Sequence, residues 1–243
     1  MRLTRCHVDA GLAVGASIAL PDTAANHLAR VLRLREGDGC VLFNGDGRDY
    51  DARITAISKR GVLVDITGTR VIDNESPLRV TLLQGIARGE KMDLILQKAT
   101  ELGVASIFPV IAERTEVKLD AERTERRMAH WRSVIASACE QSGRARVPSL
   151  AAPAALGEAA HAVDTGATKL TLDPTGDVSL ATVQVAASVV VVAIGPEGGW
   201  SPRDSDMLSA AGFIGLRLGP RILRTETAGL AAIAALQSRF GDL

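Results

Sequence analysis

Apolar and polar positions follow two different patterns along the chain. Over roughly the first 70 residues, short β-rich pieces alternate with turns, as in GDGCVLFNGDGRDYDARITAISKRGVLVDITGTRV. The segments 44–47 (NGDG) and 59–61 (KRG) are turn signals between apolar runs. One helix is expected over 23–34, where Ala24, Leu28, Val31 and Leu32 share a face. These features predict a small, mostly β, barrel-like domain over 1–72. The polar segment 72–77 (IDNESP), which ends in Pro77, marks the boundary.

From residue 73 onward, strands and helices alternate. A strand over 79–86 (RVTLLQGI) precedes a helix over 89–103 that Gly103 stops. Another strand is expected over 106–112, then a long amphipathic helix over 120–142 with its charges on the outer face. A further helix covers 155–163, and strands follow at 168–173, 188–195 and 213–219. An Ala- and Leu-rich helix over 225–240 ends the chain. This order predicts an α/β domain over 73–243 with a largely parallel sheet covered on both faces. The Ala-rich stretch 151–167 carries little pattern and reads as a variable surface segment.

Composition narrows the class. Of 243 residues, 47% are hydrophobic and only 3% aromatic, so the core is built from Val, Leu, Ile and Ala. Lys plus Arg and Asp plus Glu each total 28, which excludes a highly basic coat for nucleic acid but not a local positive patch. Cys6, Cys40 and Cys139 are scattered, so neither a disulfide framework nor a cysteine zinc site is indicated. The first residues lack the apolar stretch of a signal peptide, and the run at 188–195 is too short to cross a bilayer. No membrane association and a reducing cytoplasm are expected.

The strongest chemical signal is VVVVAIGPEGGWSP (189–202). A buried strand runs into three glycines, a proline and Glu197, which lets backbone amides approach a ligand at the carboxyl end of a strand. The text lacks the GK[ST] ending of a phosphate-binding Walker loop and is not GxGxxG. A second signal, RLGPRILRTETAGL (217–230), places Arg221 and Arg224 beside a helix opening, with Thr225 as candidate N-cap and Glu226 in the first turn. Lys98 and Glu101, spaced i,i+3, read as a surface ion pair. Arg5, Asn26, His27, Arg30 and Arg33 form a candidate RNA-facing set, to which Arg144 and Arg146 of EQSGRARVP add. The four histidines show no metal-ligand spacing, and no serine lies in a GxSxG elbow.

Taken together, NHLARVLRLREGD (26–38), KMDLILQKATELGV (91–104), SIFPV (106–110), EQSGRARVP (140–148), AIGPEGGWS (193–201) and LGPRILRTETAGL (218–230) resemble the ribosomal RNA small subunit methyltransferase E family. The resemblance spans nearly the whole chain. It implies a PUA-like N-terminal domain, an α/β catalytic domain of the SPOUT class with a deep C-terminal trefoil knot, a homodimer, and methylation of a uridine of 16S ribosomal RNA at N3 within the small subunit. The cofactor it implies is S-adenosylmethionine, with no metal.

Carried onto this sequence, the cofactor pocket falls on three pieces. One is the strand end Leu172–Asp173. The next is Ile194 and the loop Gly195, Pro196, Glu197, Gly198, Gly199 and Trp200. The last runs from Leu218 and Gly219 through Ile222, Leu223 and Arg224 to Thr227 and Ala228. RNA-facing groups implied are Arg5, Arg30, Arg33, Arg114 and Arg144, with Asn26 and His27 on the same surface and Arg221 or Arg224 nearby. Asn26 stands where the family commonly has histidine, and Asp173 and Asp204 where it commonly has glutamate.

Methylating N3 requires removing its proton, so Glu197 and Glu226 are candidate bases, and Arg221 and Arg224 candidates to stabilise charge on the uracil oxygens. Three alternatives stay open: methylation of another base or a ribose, a nucleotide hydrolase, and a non-catalytic RNA-binding or ribosome-assembly module.

Overall fold

The computed structural model describes residues 4–59, 61–117 and 120–243. Arg60 of the expected KRG turn lies outside them. Two compact units divide the chain: Met1–Glu75 with Ala136–Val147, and Ser76–Ile135 with Pro148–Leu243. The first unit is therefore not a contiguous stretch ending near residue 72, because twelve residues of the second half belong to it (136–147).

The first unit holds β1 (Arg5–His7), β2 (Ser17–Ala19), α1 (Asp22–Asn26), β3 (Gly39–Phe43), β4 (Arg48–Ser58) and β5 (Gly61–Val71). They form one five-stranded sheet in the order β1-β3-β4-β5-β2. β1 pairs parallel with β3, and the other pairings are antiparallel. Alternation along β5 buries Val62, Val64 and Ile66 and exposes Leu63 and Asp65, as a strand with one covered face requires. Leu28, Leu42 and Ile54 join them in the core.

The expected helix over 23–34 is a correction. Regular helix ends at Asn26, and His27–Val31 form a π-helical turn. The Leu32 amide bonds to the His27 carbonyl five residues back, and Arg33 closes the turn at φ 54°. The wider turn shifts the phase: Ala24 and Leu28 stay buried, while Val31 and Leu32 emerge at 67% and 39% exposure. Asn26, His27, Arg30 and Arg33 are all exposed.

Arg5 and Arg144 are also corrections. Arg5 is 8% exposed and Arg144 4%, so neither faces a ligand in solution. The Arg5 guanidinium pairs with Asp49 at 2.7 Å, donates to the carbonyls of Cys139 (2.7 Å) and Arg144 (3.2 Å), and lies 4.5 Å from the Phe43 ring centre. Arg144 donates to Glu75 at 3.0 Å. These contacts tie 136–147 to the β sheet, and Arg146, not Arg144, is the exposed arginine of that segment.

The second unit contains β6 (Arg79–Gly85), α2 (Glu90–Glu101), β7 (Val104–Ile111), most of α3 (Ala121–Ser142), β8 (Ser149–Leu150), β9 (Ala154–Ala155) and α4 (Leu156–Ala162). It continues with β10 (Thr168–Leu172), β11 (Val178–Ser179), β12 (Val189–Ile194), α5 (Pro202–Ala210), β13 (Ile214–Arg217) and α6 (Thr225–Phe240). The sheet runs β11-β13-β10-β12-β6-β7-β8, with β9 also on β7, and every pairing is parallel.

Both faces are covered. Val191 and Ala193 of β12 pack with Leu156, Ala159 and Ala160 of α4 and Leu208 of α5. The alternate positions, Val190, Val192 and Ile194, are buried on the opposite face, where α6 packs on β12 and β6. The Ala-rich 151–167 stretch is thus not only a surface segment: Leu156, Ala159, Ala160 and Val163 are buried against the sheet, while Ala152, Ala155, Glu158, His161 and Ala162 are exposed. Lys98 and Glu101 form the expected i,i+3 pair at 2.8 Å.

Candidate functional site

β13, β10 and β12 are neighbours in a parallel sheet, so their carboxyl ends and following loops converge. A pocket of about 950 Å³ opens there. Leu172, Asp173, Ile194, Gly195, Pro196, Glu197, Gly198, Gly199, Trp200, Leu218, Gly219, Ile222, Leu223, Arg224 and Ala228 line it, as do Arg221 and Glu226. Thr227 does not: it follows in the first turn of α6 and is exposed. The pocket also takes in Lys91 from α2, Thr171 from β10, Ser205, Asp206 and Ser209 from α5, and Phe213.

Direct hydrogen bonds hold the glycine loop. Gly199 needs its φ of 66°, which an L side chain rarely adopts. Gly85, at the end of β6, is required for space: a Cβ there would sit 2.4 Å from the Pro196 nitrogen. Arg114 donates to the carbonyls of Gly198 (3.0 Å) and Trp200 (3.2 Å), so this arginine, expected on an RNA surface, braces the loop. The Trp200 indole N–H donates to Thr171 Oγ1 at 3.0 Å.

The loop then enters α5, which Ser201 caps. Its hydroxyl accepts from the Asp204 amide, while the buried Asp204 carboxylate accepts from the Ser201 amide. Asp204 is therefore a capping group.

Behind the loop, Thr225 is not the N-cap of α6. Arg224 occupies that position, and the Thr225 hydroxyl donates instead to the Gly195 carbonyl at 2.6 Å. Gln84 Nε2 donates to Thr225 Oγ1 at 3.0 Å and to the Gly85 carbonyl at 2.9 Å. A buried polar chain thereby joins β6, the glycine loop and α6.

The two candidate bases differ. The Glu197 carboxylate accepts the Arg88 amide at 3.0 Å and Lys91 Nζ at 3.3 Å. Burial pushes its carboxyl up, but the backbone hydrogen bonds and Lys91 outweigh that and hold it below the ordinary glutamate value. Glu226 has no such partners: among the described residues no hydrogen bond or ion pair reaches it, and its Oε2 is closed off from solvent. Gln84 Oε1 is the other buried side-chain oxygen left without a donor there.

Arg221 and Arg224 are exposed at the pocket without an ion pair among the described residues. Ile222 between them is 86% exposed. Asp173 accepts the Thr175 amide and hydroxyl at 2.8 and 2.7 Å, which shapes the turn after β10. No cluster of metal-ligating side chains occurs among the described residues, and none of their helices is long and apolar enough to cross a membrane.

A family model for an RNA methyltransferase domain matches residues 74–237, and one for an RNA methyltransferase PUA domain matches 20–67. Ribosomal RNA small subunit methyltransferase E of Buchnera aphidicola subsp. Schizaphis graminum is 31% identical over 242 residues, covering 100% of this chain and 98% of that protein. A methyltransferase from Legionella pneumophila, solved with bound S-adenosylmethionine, is 38% identical with a TM-score of 0.96 and full coverage of both chains. Ribosomal RNA small subunit methyltransferase E of Neisseria gonorrhoeae, also bound to S-adenosylmethionine, is 40% identical with a TM-score of 0.92, again over the whole of both chains. The loops built around Gly199 and Thr225 thus stand in a chain that belongs to the ribosomal RNA small subunit methyltransferase E family.

Proposed function

We propose that this protein transfers the methyl group of S-adenosylmethionine to N3 of a uridine in 16S ribosomal RNA, on the assembled small subunit. The observation that carries this reading is the pocket at the ends of β10, β12 and β13, in a chain similar over its full length to proteins solved with that cofactor.

The residues present fit adenosylmethionine. A volume of about 950 Å³ lies within the range of small-molecule sites. A Cβ at Gly199 or Gly219 would meet nothing within 4 Å, so the backbone there is open to a ligand. Leu172, Ile194, Leu218 and Leu223 supply apolar walls. In our reading the backbone of 195–200 and 218–224 holds adenine and ribose.

The cofactor supplies an electrophilic methyl carbon on a sulfonium, chemistry that needs no metal. The protein aligns the uridine nitrogen with that carbon, excludes water and accepts the N3 proton. Arg221 and Arg224 stabilise negative charge on the uracil oxygens. Asn26, His27, Arg30 and Arg33, exposed on the π-helical turn, contact RNA, and Arg146 takes the place that the sequence suggested for Arg144. We assign the C-terminal trefoil knot, the homodimer and a cytoplasmic location on the full-length similarity alone.

The test is labelled adenosylmethionine with unmethylated small subunits, and free ribosomal RNA in parallel, with the product nucleoside identified by mass spectrometry. N3-methyluridine on the subunit is expected. A different nucleoside overturns the substrate, and absence of cofactor binding overturns the enzyme in favour of an RNA-binding module.

A further inference from the structure

We propose that Glu226 is the proton acceptor of the methyl transfer and that Glu197 is a latch for the glycine loop. The inference rests on the methylation reading above and deepens it.

Both carboxylates line the same pocket. A neutral N3–H is a poor nucleophile, so the group that takes its proton must have lone pairs that nothing else occupies. Glu197 meets that requirement less well, because its Oε1 takes two donors. Its carboxylate already accepts the Arg88 amide and the Lys91 ammonium, both of which favour the ionised form and lower its basicity. Those bonds run from Arg88, just before α2, and from Lys91 in its first turn to the second residue after Gly195, which suits a loop anchor. Protonating Glu197 would remove the charge that Lys91 pairs with and weaken the anchor at each turnover.

Glu226 meets the requirement. Neither a hydrogen bond nor an ion pair reaches it among the described residues, and its Oε2 is hidden from water. A buried acceptor without a donor is costly, which is the condition for a group whose partner arrives with a ligand. Its terminal torsion is soft, so either oxygen can be presented to the pocket. Its backbone is fixed in the first turn of α6, one residue after the Thr225 hydroxyl that grips the Gly195 carbonyl. The acceptor and the cofactor loop are therefore held by the same buried contact.

In the step, the N3–H proton passes to the Glu226 carboxylate and the N3 lone pair forms the bond to the methyl carbon. The carbon–sulfur pair stays on sulfur, leaving a neutral thioether.

The experiment uses full-length enzyme with Glu226→Gln, Glu226→Asp and Glu197→Gln. Cofactor affinity is measured by calorimetry, and turnover on small subunits at saturating cofactor. Glu226→Gln is expected to keep cofactor affinity within about threefold and lose about 10²- to 10⁴-fold in turnover. Glu226→Asp should recover part of that loss, because the carboxylate returns. Glu197→Gln should weaken cofactor binding more than saturated turnover. Turnover of Glu226→Gln within about threefold of wild type overturns the assignment, as does a cofactor affinity weakened about tenfold or more in that variant, which would make Glu226 a cofactor ligand. The wild-type arm alone identifies the methylated nucleoside, so a wrong substrate shows there whatever the variants do.

Discussion

Arg5 and Arg224 are used in opposite ways. Arg5, in the first unit, donates to Asp49 and to the carbonyls of Cys139 and Arg144, and is buried. Arg224, at the pocket of the second unit, is exposed and pairs with no acid among the described residues. The acids follow the same division: Asp49 and Glu75 are fully engaged, while Glu226 keeps a buried oxygen with no donor. Polar groups that satisfy one another hold the fold, and polar groups left unsatisfied around a cavity mark where a ligand completes the set.

The largest test of that contrast compares the two arginines. Arg5→Ala leaves Asp49 buried with only Arg70 beside it, at 2.9 Å, and removes one donor from each of the Cys139 and Arg144 carbonyls. A loss of about 3–5 kcal/mol is expected in urea unfolding. Arg224→Ala should stay within about 0.5 kcal/mol of wild type in the same measurement while lowering turnover on the small subunit. Equal stability losses would erase the distinction between structural and ligand-facing arginines.

A middle-sized effect is expected at the seam between fold and site. Thr225→Val keeps the side-chain volume but removes the donor to the Gly195 carbonyl and one acceptor of Gln84 Nε2. About 1–3 kcal/mol of stability should be lost. The stabilisation that adenosylmethionine gives in a thermal shift should shrink with it, since the freed carbonyl belongs to the cofactor loop. A variant with wild-type thermal response to the cofactor would detach the polar chain from the site.

How far the sequence made this visible depends on the range of each interaction. The alternation of β10, β12 and β13 with helices was legible because burial on both faces leaves continuous apolar runs, and a run that ends in glycines points to a strand end. The loops around Gly199 and Leu223 could therefore be read locally. Helix α5 escaped because Met207 and Leu208 are the only large apolar residues in it. Its true signal was the capping text Ser201-Pro202-Arg203-Asp204. The π-helical turn looks like ordinary helix in sequence, since one extra residue per turn changes only the phase. Burial of Arg5 and Arg144 was out of reach: their acids lie 44 and 69 positions away along the chain, and nothing local separates Arg144 from the exposed Arg146.

The smallest effect concerns acid pH and separates Glu197 from Glu226 without any substrate. The folded-state pKa of Glu197 lies below the ordinary glutamate value of 4.5, because the hydrogen bonds from Arg88 and Lys91 outweigh the effect of burial. A depressed carboxyl pKa stabilises the folded protein above the unfolded value, and that contribution is lost as pH falls through the folded value. The stability difference between wild type and Glu197→Gln should thus be constant near neutrality and shrink once pH drops below 4.5. Lys91 is partly exposed and the ion pair is screened, so the difference should not exceed about 1 kcal/mol. Urea unfolding at matched ionic strength reads it directly. Lys91→Met should remove part of the acid sensitivity and leave the part due to the Arg88 amide. If the difference instead grows as the solution becomes more acidic, Glu197 is not held in its ionised form, and the reason for preferring Glu226 as the proton acceptor disappears with it.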